Sequence, residues 1–309
     1  MRILVTGANG FVGGPVCRAL RDAGHQVIGS VRRELTPPPG IEFRRIGALG
    51  PDTDWGPALD GIEAIVHLAA RTHVMAETEA DPLAAFRRVT RDGATRLAAQ
   101  AAEAGVRRLI FLSSIKVNGE ATAPDRPFRA DDAPAPQDPY GIAKAEAEAG
   151  LRRQGGLDLT ILRPPLVHGP GVKGNLLTLI GALRRHLPLP LGAVRNRRSL
   201  VGVANLAESI RFCLDSPATI GGTFLVRDGE DVSTPELIRR LAAALDVTPV
   251  LPPLPPALLR LAGSVIGRRA AIDRLTGSLV VDDSPLRSLG WRPPLGLDDG
   301  LGAMAASFS

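Results

Sequence analysis

The chain predicts an α/β fold, a parallel, doubly wound sheet followed by a smaller C-terminal lobe. Three observations carry this. Short apolar runs of strand length alternate with stretches of helical period through residues 1–170. The first run, Arg2-Ile3-Leu4-Val5, leads directly into a glycine-spaced turn and then into helical spacing. From about Gly171 the alternation loosens into helices and short strands, so residues 171–309 read mainly as the separate lobe.

The elements follow in order. Arg2 to Val5 is the first strand, and Val16, Cys17 and Leu20 before Gly24 give a helix over Val12 to Ala23. Between them lies Thr6-Gly7-Ala8-Asn9-Gly10-Phe11-Val12-Gly13. Gly7 permits the tight turn, Gly10 lets backbone N–H groups approach a pyrophosphate, and Gly13 lets the helix lie close on the sheet. Asn9, Phe11 and Val12 complete the cradle, with the anion at the helix N-terminus. Residues 1–170 therefore read as the core of a Rossmann-type dinucleotide-binding domain, with later returns of the chain to its sheet. Gln26 to Val31 is the next strand, and NAD-selective sheets place an acid at its end to hold the ribose hydroxyls. Here the run is Ser30-Val31-Arg32-Arg33, and an arginine pair suits a 2′-phosphate. The expected cofactor is NADP rather than NAD, with Arg32 the first contact and Arg33 the second.

Further strands are expected at Ala64 to His67, Arg108 to Ser113 and Leu159 to Leu162, with helices at Pro82 to Ala104 and Tyr140 to Gln154. The proline-rich stretches Thr36 to Gly40 and Ala133 to Pro139 are loops. A short strand, Thr223 to Val226, is assigned to the smaller lobe. The only tyrosine, Tyr140, stands four residues before Lys144, one of three lysines. On a helix that spacing puts both side chains on one face, where an ammonium can favour the phenolate and lower its pKa from about 10. Such a tyrosine can exchange a proton with a carbonyl or alcohol oxygen.

Composition bounds the reading. With 309 residues, 44% hydrophobic and 22% charged, the chain can bury one large core and a smaller one. The net charge of +5 and a pI near 10.0 come from scattered arginine pairs, which argues against nucleic acid. Cys17 and Cys213 are far apart and form neither a disulfide framework nor a metal site. The chain opens on a core strand, so no secretory signal is expected and the cytoplasm is the default compartment. Leu254 to Gly267 is apolar but short and interrupted by Arg260. It reads as a lobe helix able to touch a membrane surface, not as an integral segment.

Together, Thr6 to Gly13, Leu109-Ile110-Phe111-Leu112-Ser113-Ser114 and Tyr140 to Lys144 resemble the extended short-chain dehydrogenase/reductase family, in its NAD-dependent epimerase/dehydratase group. His67-Leu68-Ala69-Ala70, Arg163 to Gly171 and Arg198 to Val203 extend the resemblance over the whole chain. Within the group it is similar to enzymes that epimerise or reduce nucleotide-linked sugars at carbon 4. The resemblance implies that Tyr140 is the acid/base and that Lys144 lowers its pKa and holds the nicotinamide ribose. Ser114 is then the hydroxyl that bonds the reacting oxygen, with Ser113 its structural neighbour. Leu68, Ala69, Ala70 and Pro164 join the cofactor site, and Asn175, Arg198 and Arg274 join Ser114 and Tyr140 at the substrate.

Departures from the family pattern narrow the expectation. Dehydratases carry Asp-Glu where this chain has Ile115-Lys116, which disfavours dehydration. Thr90 and Leu166 stand where many relatives have asparagine. The expected activity is reduction of a UDP-4-keto-6-deoxy-hexosamine, with UDP-hexose 4-epimerisation as the runner-up. A non-catalytic dinucleotide-binding sensor or scaffold is the reading from another class; such relatives lose the tyrosine, serine or lysine, and this chain keeps all three. A homodimer through the helices Pro82 to Ala104 and Tyr140 to Gln154 is also implied.

Overall fold

The computed structural model describes residues 1–71, 79–123, 125–265, 267 and 269–308. Its strands are β1 (Arg2–Thr6), β2 (Gln26–Val31), β3 (Ile41–Arg45), β4 (Ala64–His67), β5 (Arg108–Leu112), β6 (Asp158–Arg163), β7 (Leu166–His168), β8 (Arg198–Gly202), β9 (Thr223–Leu225) and β10 (Asp231–Val232). Seven form one sheet in the order β3-β2-β1-β4-β5-β6-β9, every neighbouring pair parallel. A second sheet holds β10-β8-β7. The central strands of the main sheet are largely apolar without alternation because helices cover both faces: β4 and β5 are buried at every position.

The helices in the first half are α1 (Gly13–Asp22), α2 (Gly56–Leu59), α3 (Pro82–Phe86), α4 (Gly93–Glu103) and α5 (Pro139–Gln154). Those that follow are α6 (Asn175–Arg184), α7 (Val203–Asp215), α8 (Thr234–Ala244), α9 (Pro256–Val265), α10 (Arg269–Thr276), α11 (Ser284–Ser288) and α12 (Leu297–Ala306). On one face of the sheet, Val16, Cys17 and Leu20 of α1 pack with Leu206, Ile210 and Cys213 of α7. On the other, Leu97 and Ala101 of α4 meet Ala147 and Leu151 of α5. The lobe has its own core, built from α6, α8 and α12 around Leu176, Ile180, Leu241, Leu301 and Met304. The strand order reverses at β1 and β4, and the crevice beyond their C-terminal ends is where such sheets bind ligands.

Three elements differ from the sequence expectation. The run Thr223 to Val226 does not belong to the lobe: Thr223–Leu225 returns to the main sheet beside β6, in register Ile161↔Thr223. The return is stapled by Gly221 N–H to the Leu159 carbonyl (2.7 Å) and Ile161 N–H to the Gly222 carbonyl (3.0 Å). Three residues carry no pattern that reveals such a long-range partner. The strand Ile41–Arg45 was not expected, because it is an edge strand whose Glu42, Arg44 and Arg45 dilute its apolar signal. The helix expected over Pro82 to Ala104 is broken into α3, a π-helical stretch at Arg87–Asp92 and α4.

Candidate active site

The glycine turn is shaped by two close approaches. Gly7 takes φ +69°, and a Cβ there would press on the Ala69 backbone at 3.3 Å. A Cβ on Gly13 would intrude on the Gly7 carbonyl oxygen. The Gly10 N–H closes the turn on that carbonyl at 2.9 Å. Thr6 locks the turn to the end of β4: its Oγ1 accepts the N–H groups of Leu68 and Ala69, both at 3.1 Å. With both lone pairs used, the Thr6 hydroxyl donates to His67 Nδ1 at 2.7 Å, which leaves the proton of the neutral imidazole on Nε2. Burial holds His67 neutral, its pKa lowered to about 3, with the Lys144 charge acting in the same direction.

This cradle fits a dinucleotide pyrophosphate. The α1 N-terminus has no side-chain cap and no acid in its first turn, which suits an anion, although Gly14 N–H is already given to the Gly10 carbonyl at 3.2 Å. Asn9 and Gly10 are exposed at its mouth, and Phe11 packs against the lobe core, within 4.0 Å of where a Gly171 side chain would begin. Val12 is the α1 N-cap residue. At the end of β2, Arg32 and Arg33 are exposed and have no side-chain partner among the described residues, while the Ser30 hydroxyl is buried without one. Leu68, Ala69 and Ala70 are half-buried beside the turn.

Across the crevice the structure brings Ser114 and Tyr140 together. Asp138 caps α5 by accepting the Gly141 N–H at 2.7 Å, and this aims Tyr140 from the first turn toward the end of β5. Ser114 lies close enough to the Tyr140 hydroxyl to act on it, and the Tyr140 ring meets Phe86 edge-on at 6.1 Å. Ser113 faces the other way and donates to Glu148 Oε1 at 2.5 Å. Pro164 is buried behind Ser114, its carbonyl accepting the Ile115 N–H at 3.0 Å.

Lys144 does not do to Tyr140 what the spacing suggested. Burial pushes the phenol up to about 12, opposed by Ser114, and Lys144 is not among the groups acting on it. The Lys144 ammonium instead donates to the Leu112 carbonyl at 2.6 Å and lies 4.5 Å over the Phe111 ring. Burial pushes it down to about 7, with Glu148 opposing. A spacing of four places two Cβ atoms on one helix face but does not decide where a four-carbon stem points.

The substrate-side residues form a second group. Asn175 is exposed at the first position of α6, after Gly174 at φ 68°. Arg198 Nη1 donates to the carbonyls of Arg274 (2.5 Å) and Gly277 (3.2 Å), so its guanidinium caps the C-terminal end of α10. Arg274 meets Arg198 through its backbone only; its own side chain is exposed. Glu120 connects this group to the catalytic one, acting electrostatically on Arg198 and pairing with Lys116 at 3.0 Å. Lys116 in turn pairs with Asp138.

Sequence reasoning missed the polar frame beneath the site. Arg163 binds Glu148 in bidentate fashion (Nε to Oε1 2.9 Å, Nη2 to Oε2 2.6 Å) and Asn118 Oδ1 at 3.0 Å, all of it buried. This ties the ends of β5 and β6 to α5. The signal was present, since Glu148 follows Lys144 at one further helical step of four, as Lys144 follows Tyr140. A second buried pair, His168 to Asp228 at 2.6 Å, joins β7 to the loop after β9, and Asp228 also accepts from Gly202 and Asn205. Thr90, in the π-helical stretch, is buried with its hydroxyl unpartnered.

Comparison with known proteins agrees with this architecture. Residues 3–226 match the model of the NAD dependent epimerase/dehydratase family. A UDP-glucose 4-epimerase of Vibrio cholerae is 41% identical over 312 aligned residues, spanning 99% of this chain and 95% of the relative. The crystal structure of Thermus thermophilus UDP-glucose 4-epimerase in complex with NAD superposes with a TM-score of 0.78 at 25% identity, over 100% of this chain and 99% of that one. A structure of MoeE5 with UDP-glucuronic acid and NAD gives 0.79 at 24% identity, again over 100% and 99% of the two chains. The chain belongs to the NAD dependent epimerase/dehydratase family and is an enzyme of the extended short-chain dehydrogenase/reductase type.

Proposed function

We propose that this family member inverts carbon 4 of a nucleotide-linked hexose, with a retained nicotinamide dinucleotide. The observation that carries the reading is the Ser114–Tyr140 hydroxyl pair above buried Lys144, across the crevice from an uncapped glycine cradle. The activity of the Vibrio cholerae relative supports it.

In this reading Gly7, Asn9, Gly10, Phe11, Val12 and Gly13 hold the pyrophosphate, and Leu68, Ala69, Ala70 and Pro164 line the path to the nicotinamide. When bound, that group supplies a hydride acceptor and donor at carbon 4. Ser114 orients the carbon-4 oxygen while Tyr140 passes it a proton or takes one away. A phenol pushed up to about 12 is protonated at neutral pH and so stands ready as the donor to a 4-keto oxygen. Lys144, held on the Leu112 carbonyl, serves the nicotinamide ribose. Asn175, Arg198 and Arg274 serve the substrate diphosphate and lobe, and the helices α3 to α5 serve a homodimer.

One observation favours a second reading. Arg32 and Arg33 stand exposed where an acid would favour NAD, which suits a 2′-phosphate and with it NADPH-dependent reduction of a UDP-4-keto-6-deoxy-hexosamine. Native mass spectrometry of the purified protein separates the two. Co-purifying NAD with turnover of UDP-hexose and no added reductant supports epimerisation; NADPH consumed in proportion to product overturns it in favour of the reductase.

A further inference from the structure

The lobe carries a surface that the chemistry at carbon 4 does not use. The helices α9 and α10 form a hairpin that closes tightly at Gly263, where a Cβ would meet Ile272 Cγ1 at 2.7 Å. Leu259 turns inward to the lobe core, but Leu258 and Leu261 on α9 are 55% and 64% exposed. The exposed face continues through Leu254 to Val250 and Leu187, neighbours because Leu189 N–H bonds the Val250 carbonyl at 2.9 Å. Five large aliphatic side chains are thus exposed on adjoining segments, and we take them together as one ridge, which a chain gains nothing by leaving in water.

The charge flanking the ridge is mostly positive. Residues 159–207 and 247–272 contain no aspartate or glutamate, yet they hold Lys173, Arg184, Arg185, Arg195, Arg197 and Arg260 among their cations. Arg185, directly before His186 and Leu187, is exposed and has no side-chain partner among the described residues. The hairpin carries one carboxylate of its own, Asp273 on α10, which is shared between Arg260 (3.2 Å) and Arg269 (3.7 Å). An apolar stripe flanked by cations is the combination that seats a helix in a headgroup layer of anionic lipid. No helix among the described residues is long and apolar enough to cross a membrane, so the contact is superficial.

We propose that the α9–α10 hairpin docks the enzyme on an anionic lipid surface, with Leu254, Leu258 and Leu261 entering the acyl boundary and Arg185, Arg260 and Arg269 meeting the headgroups. The hairpin is held by Arg198 at the start of strand β8 and by Asn196 in the loop before it, whose side chain donates to the Leu275 carbonyl at 3.2 Å.

Sedimentation of the full chain with phosphatidylcholine vesicles, with and without phosphatidylglycerol, tests this without any sugar or dinucleotide. Its result is therefore independent of the reaction proposed above. The expected outcome is binding to the anionic vesicles alone, released by salt, and weakened about tenfold or more in Leu258→Ser/Leu261→Ser, at unchanged thermal midpoint and turnover. A chain that stays in the supernatant with both vesicles overturns the proposal, as does a double variant that sediments like wild type. A double variant that instead lowers the solution mass from dimer to monomer also overturns it, and assigns the ridge to a second copy of the chain.

Discussion

The crevice end of the sheet and the tip of the lobe handle polar and apolar groups in opposite ways. Beneath the crevice, the Ser113, Glu148, Arg163 and Asn118 side chains are buried and bonded to one another, and Thr6 uses its one oxygen for three partners. At the lobe tip, leucines face solvent and Arg185 has no side-chain partner among the described residues. The first region is over-determined, which is what holding two hydroxyls at reacting distance requires. The second is under-determined within the chain, and its missing partners are supplied from outside.

That contrast can be broken at either end. The largest effect is expected from Tyr140→Phe, which removes one oxygen from the over-determined side. Turnover should fall by about 10²–10⁴-fold with dinucleotide content unchanged, and steady-state assays that show full turnover would remove Tyr140 from the chemistry. Next comes Glu148→Gln. It leaves Arg163 buried against a neutral amide, and urea unfolding should show a loss of about 3–5 kcal/mol. A loss near zero would mean that the frame is not the rigid element argued here.

The buried lysine gives a pH test of the same region. Lys144 is pushed from 10.5 down to about 7, so between these values the unfolded chain binds a proton that the folded chain does not. Folding stability should therefore rise with pH from about 7, by about 2–3 kcal/mol at pH 9, and Lys144→Met should flatten the rise. Above pH 9 the trend reverses. The thiols of Cys17 and Cys213 and the Tyr140 phenol are pushed up to about 12 by burial, so the folded chain keeps protons that the unfolded chain releases.

Gly13→Ala should cost about 1–3 kcal/mol through its clash with the Gly7 carbonyl, read as weaker dinucleotide binding in calorimetry. The smallest effect belongs to the lobe tip. Leu258→Ser should change unfolding stability by no more than about 0.5 kcal/mol, because the side chain is already in water. A larger loss would show that the ridge packs on this chain after all.

The strand–turn–helix at residues 2–22 was legible because glycine spacing, apolar strand and helical period are local, and backbone sterics allow them few other meanings. The same holds for α5, whose start is written in Asp138-Pro139, and for the adjacency of Ser114 and Tyr140 that the family resemblance implied. Three matters were decided only by the tertiary structure. The partner of Thr223–Leu225 is β6, some sixty residues earlier in register, and nothing local in three residues can announce it. The Lys144 ammonium turns to the Leu112 carbonyl and away from the phenol, because the direction of a long side chain is set by the acceptors the fold brings to it. Arg198 spends one nitrogen on the end of α10, since a helix C-terminus leaves carbonyls unpaired wherever packing happens to deliver it. Local sterics and period fix which elements form; long-range burial fixes which of their polar groups remain free to act.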